Sequence, residues 1–108
     1  MNLEHLFLLL EEYTMKLRRV SGNLKKNKVV LYALSTCGWC KKTKALLTEK
    51  GVEYEYIDLD TAKPEDRKEA IDDLKKRSLP LSVPIIIIDD VKVIRGYKPD
   101  EFKEVLQY

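Results

Sequence analysis

The chain has 108 residues, of which 44% are hydrophobic and 35% are charged. This length suits one compact domain, and the hydrophobic content is too high for a disordered chain. The net charge is only +2, and basic and acidic residues are interspersed, which argues against nucleic acid as a main partner. The two cysteines, Cys37 and Cys40, are too few for the disulfide framework of a small secreted protein.

The sequence also gives an expectation about location. No apolar run approaches the ~20 residues that a membrane-spanning helix needs. Glu4 stands where a signal peptide would carry basic residues, and no small-residue cleavage site follows. We therefore expect a cytoplasmic protein that does not bind membranes. In that compartment thiols are kept reduced, and a Cys-x-x-Cys pair is more often catalytic or metal-binding than structural.

Residues 2–20 carry apolar side chains at three- and four-residue steps, which predicts a helix with one apolar face. Its apolar positions are Leu3, Leu6, Phe7, Leu10, Tyr13, Leu17 and Val20. Asn2 suits its start, and Ser21-Gly22-Asn23 suits its end. We therefore divide the chain into a helical extension, residues 1–25, and a main domain, residues 26–108. The apolar face should pack on that domain, giving a monomer, or pair with a second copy, giving a dimer.

Residues 28–59 follow the pattern strand, turn, helix, turn, strand. Residues 29–34 are a continuous apolar run of strand length, typical of a central strand covered on both faces. A helix is predicted over residues 37–50, and Gly51 is a natural residue to end it. Residues 52–59 are rich in β-forming side chains and should form an outer strand parallel to the first, because a helix connects the two.

The rest of the chain predicts two helices separated by a hairpin. Pro64 suits the first turn of one helix, and Pro99 suits that of the other. Residues 85–88 and 91–94 should form antiparallel strands around a turn at Asp89-Asp90. The expected inward-facing residues of the two helices are Ala70, Ile71 and Leu74, and Phe102, Val105 and Leu106.

The Cys-x-x-Cys pair at the strand-to-helix junction is typical of a thiol–disulfide site. Only a thiolate attacks a disulfide, and the unpaired N–H groups and dipole of a helix N-terminus stabilise an anion at Cys37. Lys41 and Lys42 add positive charge in the first turns, and we expect these two residues and Gly38 to stabilise the thiolate. Cys40 lies one turn deeper on the same side, so we interpret Cys37 as the nucleophile and Cys40 as the resolving thiol. The alternatives are an inert buried pair and half of a zinc site. A zinc site would need two further ligands, and the sequence has no other cysteine and only one histidine, His5.

Two further segments should contribute to the site. Gly38 would let a substrate backbone come close, and Trp39 at the helix tip should be an exposed contact for a partner, or else a partly buried packing residue. A cis Val83–Pro84 bond would turn the backbone of Val83 towards the thiols, where an extended substrate could pair with it. Because only ~5% of X-Pro bonds are cis, the local sequence alone favours an ordinary trans proline.

Taken together, these segments resemble the glutaredoxin family of the thioredoxin fold. The resemblance covers residues 28–108 through LYALSTCGWCKKTKALL, GVEYEYIDLD, SVPIIIIDD and RGYKPDEFKEVL. It implies an α/β thioredoxin-like fold with a four-stranded mixed sheet, in the order 2-1-3-4, flanked by three helices. The N-terminal helix would be an addition to that fold. The resemblance also implies that the bond before Pro84 is cis.

The chain departs from the glutathione-using members of that family at two places. Their active site usually reads Cys-Pro-Tyr-Cys, whereas this chain has Gly38 and Trp39 between the cysteines. Arg95 stands where they carry the first of two paired glycines. The segment Gly96-Tyr97-Lys98-Pro99-Asp100 is similar to the glutaredoxin-like hydrogen donors of ribonucleotide reductase, which use thioredoxin-type reductases. This departure argues against glutathione as the main electron donor.

We therefore expect a dithiol–disulfide oxidoreductase that reduces protein disulfides and is re-reduced by a thioredoxin-type reductase. Ribonucleotide reductase is a candidate substrate. The expected substrate-binding residues are Trp39, Val83, Pro84, Gly96, Tyr97 and Asp100. We expect no required cofactor and no metal. The alternatives are a glutathione-dependent glutaredoxin and a carrier of a [2Fe–2S] cluster held between two protomers by the cysteine at position 37 and glutathione.

Overall fold

The computed structural model describes residues 15–108. It contains five strands and three helices in this part of the chain. The strands are β1 (Arg18–Val20), β2 (Val29–Ala33), β3 (Tyr54–Asp58), β4 (Ile85–Ile88) and β5 (Lys92–Arg95), and the helices are α1 (Gly38–Glu49), α2 (Pro64–Lys76) and α3 (Pro99–Leu106). Within these residues, no helix has both the length and the apolar character needed to cross a membrane.

The strands form one mixed sheet in the order β1-β3-β2-β4-β5. Strands β2 and β3 are parallel, and the other neighbouring pairs are antiparallel. The four strands that were predicted lie in the expected order, since β3-β2-β4-β5 corresponds to 2-1-3-4. The sheet is nevertheless five-stranded, because β1 adds to the edge beyond β3.

Alternating side chains divide the core between the two faces of the sheet. Leu31 on the central strand faces a cluster that includes Leu47 of α1 and Phe102 of α3. Its neighbour Tyr32 faces the other cluster, with Leu74 of α2. Both faces of β2 are therefore covered, as its uninterrupted apolar sequence predicts.

The N-terminal helix predicted over residues 2–20 is wrong for Arg18–Val20, which form strand β1 antiparallel to β3. Residues 2–14 of that prediction lie outside the described residues. Leu17 and Val20 explain the error, because three-residue spacing places two side chains on one face of a helix but on opposite faces of a strand. Here Leu17 packs against the α2 cluster and Val20 against the α1 and α3 cluster. Pairing with the exposed edge of β3 also satisfies backbone groups that a helix would leave unpaired there.

The segment after β1 runs parallel to the backbone just before β3 and lies close to it. Leu24 forms a bridge with Val52, donating its N–H to the Gly51 carbonyl at 2.9 Å and accepting the N–H of Glu53 at 3.0 Å. Gly22 lies so near this backbone that a β-carbon there would be 2.7 Å from the Glu53 nitrogen. A glycine is therefore required at this close approach.

The hairpin between β4 and β5 turns at Asp89-Asp90 as expected, but its loop has three residues and not two, because Ile88 pairs with Lys92. Asp89 and Asp90 both have positive φ angles, 53° and 61°, as the central residues of a type I′ turn do, and the Val91 N–H donates to the Ile88 carbonyl at 3.1 Å. The Asp89 carboxylate also accepts the backbone N–H of Lys28 at 2.8 Å. Val91, predicted to begin the returning strand, lies in the turn and is 81% exposed.

Candidate active site

The strand-to-helix turn places Cys37 at the N-terminus of α1. Its own N–H donates to the carbonyl of Leu34 at 3.1 Å, which closes the turn after β2. Cys37 is the N-cap of α1, and its Sγ accepts the backbone N–H of Cys40 at 3.1 Å. The sulfur of Cys37 therefore occupies the position in which a helix N-terminus stabilises an anion.

The two thiols lie in different environments. Both cysteines are free, Cys37 is half-buried, and Cys40 is 0% exposed. Burial, together with a hydrogen bond to Cys37, raises the pKa of Cys40 to about 12. Cys40 therefore remains protonated at neutral pH, whereas Cys37 is the thiol that an incoming disulfide can reach.

The expected thiolate-stabilising residues lie around this turn without their side chains reaching the sulfur. Lys41 and Lys42 are exposed, and neither ammonium group forms a hydrogen bond with Cys37 among the described contacts. The backbone N–H of Lys41 donates to the Cys37 carbonyl at 3.1 Å. The Lys42 Nζ lies 4.6 Å from the centre of the Trp39 ring, within cation–π range. Gly38 is exposed, and a β-carbon there would meet no atom within 4 Å.

An aromatic surface extends from the helix tip to the loop before α3. Trp39 is 56% exposed, and its ring centre lies 5.4 Å from that of Tyr97. Tyr97 in turn makes an edge-to-face contact with buried Phe102, with 6.2 Å between ring centres. The core therefore anchors Tyr97, and Tyr97 supports Trp39 as an exposed contact surface beside the thiols.

Val83 and Pro84 precede strand β4 on the other side of the turn. The bond between them is cis, and the Pro84 carbonyl accepts the N–H of Gly96 at 2.8 Å. Among residues 15–108, the Val83 N–H and carbonyl have no hydrogen-bond partner. Val83 is half-buried, and it packs on the same core cluster as Cys37. It therefore presents an open backbone edge next to the helix N-terminus.

The last expected site residues follow β5. Gly96 has a φ of +89°, which glycine adopts without strain, and this conformation turns the chain towards Tyr97 and α3. Asp100 lies exposed in the first turn of α3, and Arg95 is exposed at the end of β5. Among the hydrogen bonds of residues 15–108, neither side chain bonds to Cys37 or Cys40.

Two residues that the sequence analysis missed hold the active-site turn in place. The Ser35 N–H donates to an Asp60 carboxylate oxygen at 2.9 Å, and the Ser35 hydroxyl donates to the other oxygen. These bonds lower the pKa of Asp60, the bond from the Ser35 hydroxyl contributing most. The carboxyl ends of parallel strands meet at one edge of a sheet, so the topology of β2 and β3 could have indicated this contact.

The sequence also provided no indication of a cavity beside this turn. It has a volume of about 380 Å³ and lies between the end of β2, the end of β3, α2 and the segment before β4. Residues 15–108 contain no group of three or more His, Cys, Asp or Glu side chains placed to hold a metal ion.

Comparison with known proteins establishes the family. Residues 29–93 match the sequence model of the Glutaredoxin family. The crystal structure of the glutaredoxin from Methanosarcina mazei Go1 is 39% identical in sequence, covers 86% of this chain and 89% of its own, and superposes with a TM-score of 0.73. Methanosarcina acetivorans methanoredoxin is 36% identical, with 82% and 97% coverage and a TM-score of 0.71.

A relative known from its sequence is also similar over most of the chain. The gene 56 protein of Mycobacterium phage D29 is 32% identical over 80 residues, which cover 74% of this chain and 83% of that protein. The chain therefore belongs to the glutaredoxin family and has the thioredoxin-like fold. Membership identifies it as a glutaredoxin-like redox protein, and thiol–disulfide exchange is the activity typical of that family.

Proposed function

We propose that the protein is a dithiol–disulfide oxidoreductase that reduces disulfides in other proteins. The Cys37 thiolate attacks one sulfur of the substrate disulfide, forms a mixed disulfide, and releases the other sulfur as a thiolate that takes up a proton. Cys40 then loses its proton and attacks Sγ of Cys37, which breaks the bond to the substrate and releases the second substrate sulfur as a thiolate that takes up a proton. The products are the Cys37–Cys40 disulfide and a fully reduced substrate, so two electrons pass from the protein to the substrate.

The main support is the asymmetry of the two thiols. Cys37 is half-buried at the helix N-terminus with an N–H directed at its sulfur, whereas Cys40 is fully buried with its pKa raised to about 12. An accessible, anion-stabilising position suits the attacking thiol. A buried, protonated thiol one turn away suits a group that acts only after the first bond has formed.

Trapping experiments test these roles. The Cys40→Ser variant should accumulate a mixed disulfide with a disulfide-containing protein, because the second step is blocked, whereas Cys37→Ser should form none. Non-reducing gel electrophoresis and intact mass spectrometry detect the adduct. Accumulation in Cys37→Ser but not in Cys40→Ser would reverse the roles. No adduct in either variant would exclude this mechanism.

We further propose that a thioredoxin-type reductase, rather than glutathione, restores the dithiol in the cytoplasm. Tyr97 lies between Trp39 and Phe102, with its ring centre 5.4 and 6.2 Å from theirs, and this bulky side chain before α3 argues against a glutathione site there. The same pair of rings offers a protein partner an aromatic contact surface, which is typical of binding hot spots. Exposed Lys42 above Trp39 adds a cationic contact at its rim.

Competition between donors tests this choice. Reduction of the Cys37–Cys40 disulfide by thioredoxin reductase with NADPH should be efficient, whereas glutathione should bind only in the millimolar range, about −4 kcal/mol. Tyr97→Ala should lower kcat/KM for the reductase, with Tyr108→Phe as a control outside the aromatic surface. Micromolar glutathione binding without turnover by the reductase would contradict the proposal. The same assay, with ribonucleotide reductase as the disulfide substrate, tests that enzyme as a partner.

A further inference from the structure

The cavity beside the active-site turn is mainly aliphatic. Its volume of about 380 Å³ lies near the lower end of the ~300–1,000 Å³ range of ligand pockets. Five aliphatic residues line it: Leu34, Leu59, Ile71, Leu81 and Val83. Leu59 is buried and forms part of the core, whereas Leu81 is 61% exposed at the rim. A large exposed leucine next to an aliphatic depression marks a surface suited to binding another apolar group.

The two charged residues of the lining are engaged within the chain. Asp60 accepts both hydrogen bonds from Ser35, described above. The Arg67 Nε donates to the Leu59 carbonyl at 2.7 Å, and its Nη2 donates to the Ala62 carbonyl at 3.1 Å. These contacts hold the Arg67 guanidinium and the Asp60 carboxylate in structural roles. The part of the cavity offered to a ligand is therefore largely apolar.

The cavity is continuous with the open edge where a substrate would dock. Val83 lines the cavity, and its backbone N–H and carbonyl have no partner among the described residues. Leu34 lines it from the other side, and its carbonyl accepts the N–H of Cys37. A polypeptide extended along Val83 with its disulfide at Cys37 would therefore place a neighbouring side chain over the cavity. In an extended strand side chains alternate, so only certain flanking positions would face it.

We infer that this cavity is a specificity subsite for one aliphatic side chain of the substrate polypeptide, close in sequence to the cysteine that Cys37 attacks. The inference rests on the proposed function, because it names the substrate feature that the same site recognises. Ile71 and Leu81 are the residues that set the preference. They line the cavity from α2 and from the segment before β4, and neither belongs to the thiol machinery.

Peptide disulfides test the inference directly. The probes are disulfide-linked dimers of a heptapeptide with a central cysteine and serine elsewhere, with leucine placed at one flanking position at a time. The rate constant for forming the mixed disulfide with the Cys40→Ser variant is measured by mass spectrometry. One or two leucine positions should react about tenfold faster than the all-serine peptide, as burial of one leucine side chain predicts. Aspartate at the same positions should give no such gain.

Substitutions in the cavity should remove this preference. In the Cys40→Ser background, Leu81→Gln or Ile71→Thr should reduce the leucine advantage to less than about threefold. The control is Val91→Gln, which replaces an equally exposed aliphatic residue in the β4–β5 turn and should retain the full advantage. Thermal unfolding of each variant verifies that it is folded.

The outcomes separate the inference from the proposed function. If every peptide forms the mixed disulfide at the same rate, or if Leu81→Gln and Ile71→Thr both keep the leucine advantage, the subsite is refuted and the thiol chemistry stands. If the Cys40→Ser variant forms no mixed disulfide with any peptide, both the proposed function and the subsite are refuted.

Discussion

Replacing Gly22 with alanine would place a methyl group against backbone that has little freedom to move. The new β-carbon would lie 2.7 Å from both the Glu53 nitrogen and the Val52 carbonyl carbon, and still closer to the Gly51 carbonyl oxygen. Real β-carbons essentially never lie under 3.0 Å from such atoms. All three contacts are with backbone, so no side chain can rotate away to relieve them.

The size of the effect follows from what must move. Overpacking a well-packed site costs roughly 1–3 kcal/mol, and the reduced entropy of the unfolded chain returns roughly 0.4–1 kcal/mol when glycine becomes alanine. Two hydrogen bonds of Leu24, 2.9 and 3.0 Å long, hold the two segments together. The overpacking cost should therefore lie at the upper end of its range. We therefore expect a net loss of about 2 kcal/mol, or a Tm lower by roughly 8–16 °C.

Urea and thermal unfolding measure this loss, and hydrogen exchange at the amides of Leu24 and Glu53 locates it. The matched control is Gly38→Ala, because a β-carbon at Gly38 would meet no atom within 4 Å. That variant should be as stable as the native protein or more stable by up to about 1 kcal/mol. A loss of stability below about 0.5 kcal/mol for Gly22→Ala, with both amides still protected, would refute the claim that only glycine fits this close approach.

Two further predictions concern the thiol pair and the ion pair near it. In a Cys37→Ser variant, alkylation of Cys40 should rise about tenfold per pH unit from pH 7 to 10 without a plateau, because only the thiolate reacts and burial, the largest cause of the raised Cys40 pKa, is retained. A plateau near pH 9 would show an ordinary thiol. Lys44 and Asp58 form an ion pair of 2.8 Å, and their side chains are only 22% and 14% exposed. A double-mutant cycle of urea unfolding with Lys44→Met and Asp58→Asn should therefore show a coupling free energy of about 1–2 kcal/mol. A coupling below about 0.3 kcal/mol would mean that solvent screens the pair as at an open surface.

Local patterns predicted the elements around the thiols well, because short-range chemistry decides them. The helix expected over residues 37–50 is observed as Gly38–Glu49, with Cys37 as its N-cap. Gly51 follows it with a φ of +71°, as expected for a glycine that ends a helix. The strand expected at residues 85–88 is observed with the same bounds. In each case residues close in sequence carry the whole signal.

The N-terminal segment shows where such patterns fail. The spacing of Leu17 and Val20 fits the face of a helix, but it equally fits one residue on each side of a strand. The choice between them depends on the exposed edge of β3, which is formed by residues more than 30 positions later. Gly22 was read as the end of a helix, whereas its role is to allow close approach to Val52 and Glu53. Tertiary pairing decided this segment, and its local sequence could not.

The candidate site also has one part that local sequence predicts, the thiol pair, and one that it does not, the cavity. The proposed roles of the two thiols, attack by Cys37 and resolution by Cys40, follow from two residues only three positions apart. The sequence alone is therefore enough to predict them. The surroundings that select a substrate come from four separate segments, which meet only because β2 and β3 are parallel and β4 lies beside β2. Ile71 was predicted as part of an inward helix face, and it does face inward, but towards a cavity that its helix shares with Leu81. Substitution at Ile71 or Leu81 can therefore change which disulfides are reduced while the Cys-x-x-Cys motif and its chemistry stay the same.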